Sequence, residues 1–595
     1  MEPSALPPNA DLFSVILLRV IRAAIYFAAF LVPLLSIPLT RDTLLVKPLV
    51  VESVALIVGA AWLLEALLKR RVIYRRSPFN MVLGLTALVM LVSMFASNSP
   101  WSSFWGSDPT GEKAASMIAF IVIVFVAAAV FRPSDIARTA LCVVIVYLLL
   151  DLLVLGSLFG GRLGLALPDW MLQNPLGTVN ASAVVLAAGF LMTLVFSFVA
   201  GTPSGRRLVA RPVLFIALLT AFLLGATLLL IGFRMVWGGI AAAMALLLAA
   251  NFSKRWTAGE EAANEYAFGS LAAAIGFLVL LIALFFAVWP GFLIERDAPL
   301  FIPPLEISPS FGATLAIGRE VLKADPVFGL GPSNFHLAFN QFRDTSLNQS
   351  LFWQVRFSHG FSFLSTVIST LGIAGVLIFL ALVLSGMFLV GRTIFRSESP
   401  SPYLWSFGAL AVFVFIEWFL YASNFTATFL ALLSLGLVMA AAQEPRGESS
   451  GVSYWRVARR TVLVEGVAVN FAASLVVVSA AAFCLIGLYA LGTAYAAEVL
   501  AKRALQGAAA VPALEHAIRL NPNDASFRQL RAEAALGVVS RLITEAAVRP
   551  SQDLSGQFRT EFGNGIAAVN AAIALEPADP RHWVTLGGLY ETVIP

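Results

Sequence analysis

SLAAAIGFLVLLIALFFAVWP, residues 270–290, runs for 21 positions without a charged side chain. As a helix it rises about 30 Å, the thickness of a bilayer's hydrocarbon core. Similar runs recur on both sides of it. Thirteen are counted, with approximate cores at 20–38, 48–68, 79–97, 114–131, 137–156, 177–200, 212–232, 235–251, 270–290, 371–391, 403–421, 423–442 and 466–491. Apolar residues make up 59% of the 595, charged residues only 12%, and mean hydropathy is +0.87. Soluble domains carry about a quarter charged residues. The composition therefore excludes a soluble enzyme and predicts an all-α, polytopic transmembrane bundle.

Cys142 and Cys484 both fall in apolar spans, so neither a disulfide framework nor a cysteine metal site is implied. Met1 to Leu12 lacks a basic region and the first span lacks a small-residue cleavage site, so no cleavable signal peptide is expected. The net charge of +5 bears on topology and does not imply a nucleic-acid partner.

Lysine and arginine set the expected orientation. With the N-terminus inside, 20 cationic residues face the cytoplasm, among them Lys69-Arg70-Arg71, Arg75-Arg76, Arg206-Arg207 and Arg459-Arg460. The outer loops before residue 492 hold ten, five of them in one loop. That large outer loop, 291–370, and everything after the last span are expected outside, the whole lying in a plasma (inner) membrane.

The outer segments carry the polar signals. Trp101 and Trp105 suit an interfacial belt. Gly160-Gly161-Arg162 and Asn174-Pro175-Leu176-Gly177, followed by Asn180, mark a broken start to the sixth span. Irregular backbone at that depth needs protein or a wet cavity around it. Arg234 stands between two closely coupled spans, either as a snorkelling anchor or as a bundle-facing cation. Glu417, inside a span, needs a partner or a cavity.

Composition changes near residue 492. Helical, alanine-rich segments stop at Asn521-Pro522-Asn523-Asp524 and again at Glu576-Pro577-Ala578-Asp579-Pro580, and new helices follow. This pattern resembles tetratricopeptide repeats. The two turns lie 55 residues apart, where a 34-residue repeat is expected, so the repeats are degenerate or carry an insertion around 545–562. The last helix ends at Pro595 with an apolar face that lacks a cap, which predicts that the native chain continues or is truncated. Three regions result: a transmembrane domain over 1–445, a linker and last span over 446–492, and a repeat-like tail over 493–595.

Arg162, Arg234, Arg319 and Arg356 come from three separate outer segments. Convergent guanidinium forks suit a phosphate or a diphosphate, with ordinary ion pairing as the alternative. Gly329 and Gly331 permit tight backbone approach and can present N–H groups at a helix start, with Asn334 positioning the loop beside them.

Together these residues resemble the O-antigen ligase/polymerase-like superfamily of membrane glycosyltransferases. The likeness covers about residues 15–442. Pro326-Val327-Phe328-Gly329-Leu330-Gly331-Pro332-Ser333-Asn334-Phe335 matches that family's Pro-x-x-Gly-x-Gly-x-x-x-Phe segment, and Gly372-Ile373-Ala374-Gly375 matches its Gly-x-x-Gly lead-in to the next helix. Arg319 precedes the segment and Arg234 takes the inter-span position. The resemblance implies an inverting, metal-independent transfer with no cofactor. The donor is a glycan on a polyprenyl diphosphate, and the acceptor hydroxyl belongs to a lipid, a glycan or a protein. It implies that Arg234 and Arg319, with Arg162, hold the diphosphate, and that His359 accepts the acceptor proton. The sequence departs from the family at this histidine: Gly360 follows it where Asn is usual, and no Glu precedes Gly372. His359 is therefore either the base or an incidental loop residue. The Trp353-Gln354-Val355-Arg356-Phe357 run points to a variant in which Arg356 occupies that part of the site, and His336 is a weaker second histidine. The competing readings are a flippase for lipid-linked glycan and a non-catalytic scaffold that recruits a protein partner through the tail. The absence of a clear internal repeat argues against the flippase.

Overall fold

The computed structural model describes residues 8–106, 112–160, 164, 167–258, 268–292, 306–349, 355–396, 401–442, 457–464, 466–507, 510–548 and 554–594. Among them, eleven helices are long and apolar enough to cross a membrane, and two shorter apolar helices bring the set to thirteen. The chain is an all-α helical membrane protein, with helices where the apolar runs predict them. In chain order these are α1 (Pro8–Leu34), α2 (Val46–Leu68), α3 (Pro78–Ala96), α4 (Pro100–Trp105), α5 (Ala114–Val130), α6 (Pro133–Phe159), α7 (Asp169–Leu172), α8 (Val179–Ala200), α9 (Gly205–Leu208), α10 (Arg211–Ile231), α11 (Arg234–Ala258) and α12 (Ser270–Val288). Then follow α13 (Phe311–Ala324), α14 (Phe335–Phe342), α15 (Phe363–Arg396), α16 (Pro402–Leu420), α17 (Phe425–Ala441), α18 (Val467–Leu505), α19 (Ala510–Leu520), α20 (Ala525–Val548), α21 (Ser555–Leu575) and α22 (Pro580–Glu591).

Two of these differ instructively from the sequence reading. The apolar run at 466–491 continues as one helix to Leu505, because no Pro interrupts the alanine-rich sequence beyond it. Helix α15 starts at Phe363, eight residues before the expected 371, and Gly372 forms a break inside it (φ 62°, ψ −156°). A small sheet also forms: β1 (Arg71–Arg76) pairs antiparallel with β2 (Ala458–Leu463), in register from Arg71 with Leu463 to Arg76 with Ala458. The consecutive β-formers Val72, Ile73 and Tyr74 between the arginines favour an extended strand there. The pair ties the segment before α18 to the basic end of α2.

The helices are apolar on all sides, so burial is decided by position in the bundle. The spans of α8 and α16 are 94% and 78% buried and form the centre, whereas α12 and α18, at 22% and 6%, are peripheral. Lipid is as apolar as leucine, so close fit holds such helices together. Gly189 of α8 illustrates this: a Cβ there would lie 2.2 Å from the Tyr147 ring of α6.

Beyond the bundle, α18 packs on α19 and α20 around Ala497, Ala501, Leu514, Ala517 and Phe527. A second small core joins Ala532, Val569 and Leu589 from α20, α21 and α22. The turns fall at the two predicted Pro-containing breaks, and the wide spacing between them is taken up by the length of α20 and α21. This tail touches the loops at one end of the bundle. Arg41, between α1 and α2, pairs with both carboxylate oxygens of Glu498 (2.9 and 2.5 Å) and lies over the Phe527 ring.

Candidate functional site

The Pro326–Asn334 segment lies against the break in α15. Leu330 N donates to Ser369 O (3.1 Å) and Gly331 N to Thr370 O (2.8 Å). In return Ile373 N donates to Pro326 O (3.0 Å) and Ala374 N to Val327 O (3.1 Å). A helix broken inside a bundle must have its freed polar groups paired again, and this segment pairs them. Gly329 (φ 61°) and Gly331 (φ 99°) are in the left-handed region. A Cβ at Gly329 would lie 2.6 Å from Ser369 O, which leaves room only for glycine. The amides expected to face a ligand are therefore taken by backbone carbonyls. Asn334, fully buried, donates to Ser97 Oγ (3.0 Å), Ser103 Oγ (2.8 Å) and Leu330 O (2.9 Å), and Ser93 Oγ donates to Phe328 O (2.8 Å). These bonds pin the segment to the end of α3.

That clasp fixes the start of α15 and, with it, His359. Gly360 N donates to Thr366 Oγ1 (2.9 Å), Phe361 N to Thr314 Oγ1 of α13 (3.0 Å), and Phe363 N to Tyr421 O (2.9 Å). His359 is thereby held, half-buried, on the wall of a cavity of about 260 Å³. Four segments meet in this cavity: the α1–α2 loop with the start of α2, the lead-in to α8, the loop around Glu306 and His359, and the α16–α17 connection.

Its polar lining is specific. Tyr421 Oη donates to the Glu306 carboxylate, 2.8 and 2.6 Å from its two oxygens, and Thr178 Oγ1 donates to Glu306 Oε2 (2.8 Å). Tyr421 thus serves the carboxylate as a hydrogen-bond donor. The buried Lys47 amino group lines the same cavity and donates to Pro33 O (3.0 Å) and Thr426 Oγ1 (3.1 Å). Asn424 caps α17, accepting from Ala427 N (3.1 Å). The His359 ring uses Nδ1 toward Gly360 O (3.0 Å). This arrangement assigns the proton to Nδ1 and leaves Nε2 as the acceptor. One cavity thus combines a proton acceptor, a buried lysine and an oriented carboxylate.

The arginines are distributed differently. Arg234 is exposed at the start of α11, where Nε donates to Ala287 O (2.9 Å). Its neighbour Phe233 packs edge-on against Tyr421 (5.3 Å), which brings Arg234 to the flank of the cavity without lining it. Arg319 is exposed on α13, whose Gly318 packs on Ile368 of α15. Arg356 turns to the tail and pairs with Asp579 (3.6 Å). Arg162 and Trp353 lie outside the described residues. His336 belongs to α14 and does not line the cavity. Glu417 is buried one turn before Tyr421 on α16, against Gly239 of α11.

Sequence reasoning missed Lys47, Glu306 and Tyr421. Lys47 did carry a signal: it is a lysine at the end of a span that the positive-inside bias expects to face outward, where that bias gives it no topological role. The Pro175–Thr178 turn, by contrast, does border the cavity. Compared with models of known protein families and with curated proteins, the chain matches none.

Proposed function

We propose that the protein is a membrane glycosyltransferase. It moves a glycan from a polyprenyl-diphosphate carrier to an acceptor hydroxyl at the outer face of the membrane, as an O-antigen ligase or polymerase does. The observation that carries this reading is the single cavity lined by His359, buried Lys47 and the Glu306–Tyr421 pair. The order of its motifs, which resembles that superfamily, supports it. The positive-inside bias supports an outward-facing cavity, and the tail touches loops at that same end.

In this reading the acceptor oxygen attacks the anomeric carbon from the face opposite the diphosphate. Its proton passes to His359 Nε2 as the new glycosidic bond forms. The bond to the diphosphate breaks, and its electron pair leaves on the phosphate oxygen, where Lys47 stabilises the added charge. Arg234, on the flank, steers the incoming diphosphate, and Arg319 adds to the positive field. Glu306, held by Tyr421 and Thr178, orients sugar hydroxyls.

The test uses the full chain in proteoliposomes with a glycan on undecaprenyl diphosphate and a hydroxyl acceptor. Joined product is expected, and His359→Ala should slow its formation about 10²–10⁴-fold. Passage of donor across the bilayer without joining would favour a flippase. Transfer unchanged in His359→Ala would remove the proposed base.

A further inference from the structure

The junction of the tail with the loops holds a cluster that the transfer reading does not use. Glu576 and Asp579 sit in the α21–α22 turn and His582 in the first turn of α22. One potential ligand atom from each lies within 4.8 Å of the others. Acidic clusters are common, so the informative group is the histidine. His582 is fully buried, and its Nδ1 is 2.8 Å from Gln529 Oε1. Gln529 Nε2 donates to Glu533 Oε1 (2.7 Å) and Thr585 Oγ1 (2.6 Å), which fixes the amide with Oε1 toward the ring. The ring proton is therefore on Nδ1, and Nε2 carries the lone pair. Among the described residues Nε2 has no hydrogen-bond partner, and it faces Glu576 Oε2 at 4.0 Å. Two acceptors facing each other at this distance are bridged either by a proton or by a metal cation.

A histidine whose second nitrogen is fixed by a carbonyl oxygen is the common arrangement of a metal ligand.

We propose that Glu576, Asp579 and His582 form a binding site for one divalent first-row cation of the Zn²⁺ class. One imidazole with two carboxylates suits such a metal, whereas Ca²⁺ and Mg²⁺ select all-oxygen shells. Ligand distances of about 2.0–2.2 Å put tetrahedral ligand atoms roughly 3.4 Å apart, so the facing His582 and Glu576 atoms, now 4.0 Å apart, and the other pairs, within 4.8 Å, must close by about half to one and a half ångströms, with a water as fourth ligand. Asp579 also receives Arg356, three residues before His359. The ion thus locks the tail to the segment that carries the proposed base. The site is distinct from the transfer cavity and does not depend on that reading.

The test titrates Zn²⁺ calorimetrically into the full chain in detergent, without a histidine tag and after treatment with EDTA. One Zn²⁺ per chain is expected, with binding lost in His582→Ala. Glu576→Gln keeps size and fold and should weaken binding at least tenfold. Gln529→Leu, which among the three proposed ligands bonds only the ring's other nitrogen, should weaken it about 10–100-fold. A stoichiometry well below one, or affinity within about twofold of wild type in both Glu576→Gln and Gln529→Leu, would overturn the site. No transfer is measured, so this result and that of the transferase assay fail separately.

Discussion

Substituting Gly329 with alanine addresses the contact that holds the cavity together. The residue has φ 61°, where an L side chain costs about 1–2 kcal/mol. The added Cβ would also meet Ser369 O at 2.6 Å, Gly372 N at 2.8 Å and Thr370 C at 2.9 Å. All three are backbone atoms, so no rotamer change relieves the overlap. The loop and α15 must separate by several tenths of an ångström, which stretches the four bonds between 326–331 and 369–374. Each is worth about 0.5–1.5 kcal/mol net. Losing one or two on top of the strain gives about 2–4 kcal/mol. Gly312→Ala, on α13 with nothing within 4 Å, is the control and should be neutral or slightly stabilising. Thermal unfolding of the detergent-solubilised chain, together with the rate of proteolysis within 306–362, reads both variants. If Gly329→Ala unfolds within about 0.5 kcal/mol of wild type and resists protease equally, the clasp and the argument built on it are wrong.

Three further outcomes follow from the same geometry. Arg41→Ala removes a mostly buried two-point pair with Glu498 and a stacked contact on Phe527, so the tail should loosen by about 2–4 kcal/mol; limited proteolysis beyond residue 505 checks it. Lys47→Met keeps the side chain's length and removes its charge, and should lower the turnover rate for a diphosphate-linked donor about 10²–10³-fold, measured as product formed per enzyme. In metal-free protein Glu576 has its folded pKa raised to about 7, above about 4.3 in the unfolded chain. The folded state then binds the extra proton between those values, so stability is full below about 4.3 and falls as pH rises through 7, by on the order of 3 kcal/mol. A pH series of tail unfolding in EDTA reads this, and a stability that rises between pH 5 and 8 would contradict it.

The thirteen apolar helices were legible because crossing a bilayer is a local demand: enough consecutive apolar residues, satisfied by their own backbone bonds. The Pro-containing turns of the tail were legible for a similar reason, since proline in a helix interior removes a backbone bond and tends to end the helix. The glycine segment was recognisable as unusual, but its purpose was not. Gly329 and Gly331 read equally well as a cradle for a ligand or as a close approach of two backbones. Only their neighbours, Ser369 to Ala374, select the second.

The cavity shows the limit most clearly. Tyr421 and Glu306 are 115 residues apart, and Lys47 and Thr426 are 379 apart. In sequence Lys47, Tyr421 and Thr426 are single polar residues at the ends of spans, which anchoring at the membrane surface explains, and Glu306 is one acid in a long loop. Arg356 reads as a site residue until the fold brings Asp579 beside it, and Glu576 with His582 becomes a metal-ligand pair only because Gln529, on another helix, fixes the ring. The sequence alone determined which segments enter the bilayer, because transfer into lipid is close to a sum over residues of one helix. The tertiary structure decided which polar groups meet. Hydrogen bonds and charges act over a few ångströms, and the distances between helix ends are set by how the whole bundle packs.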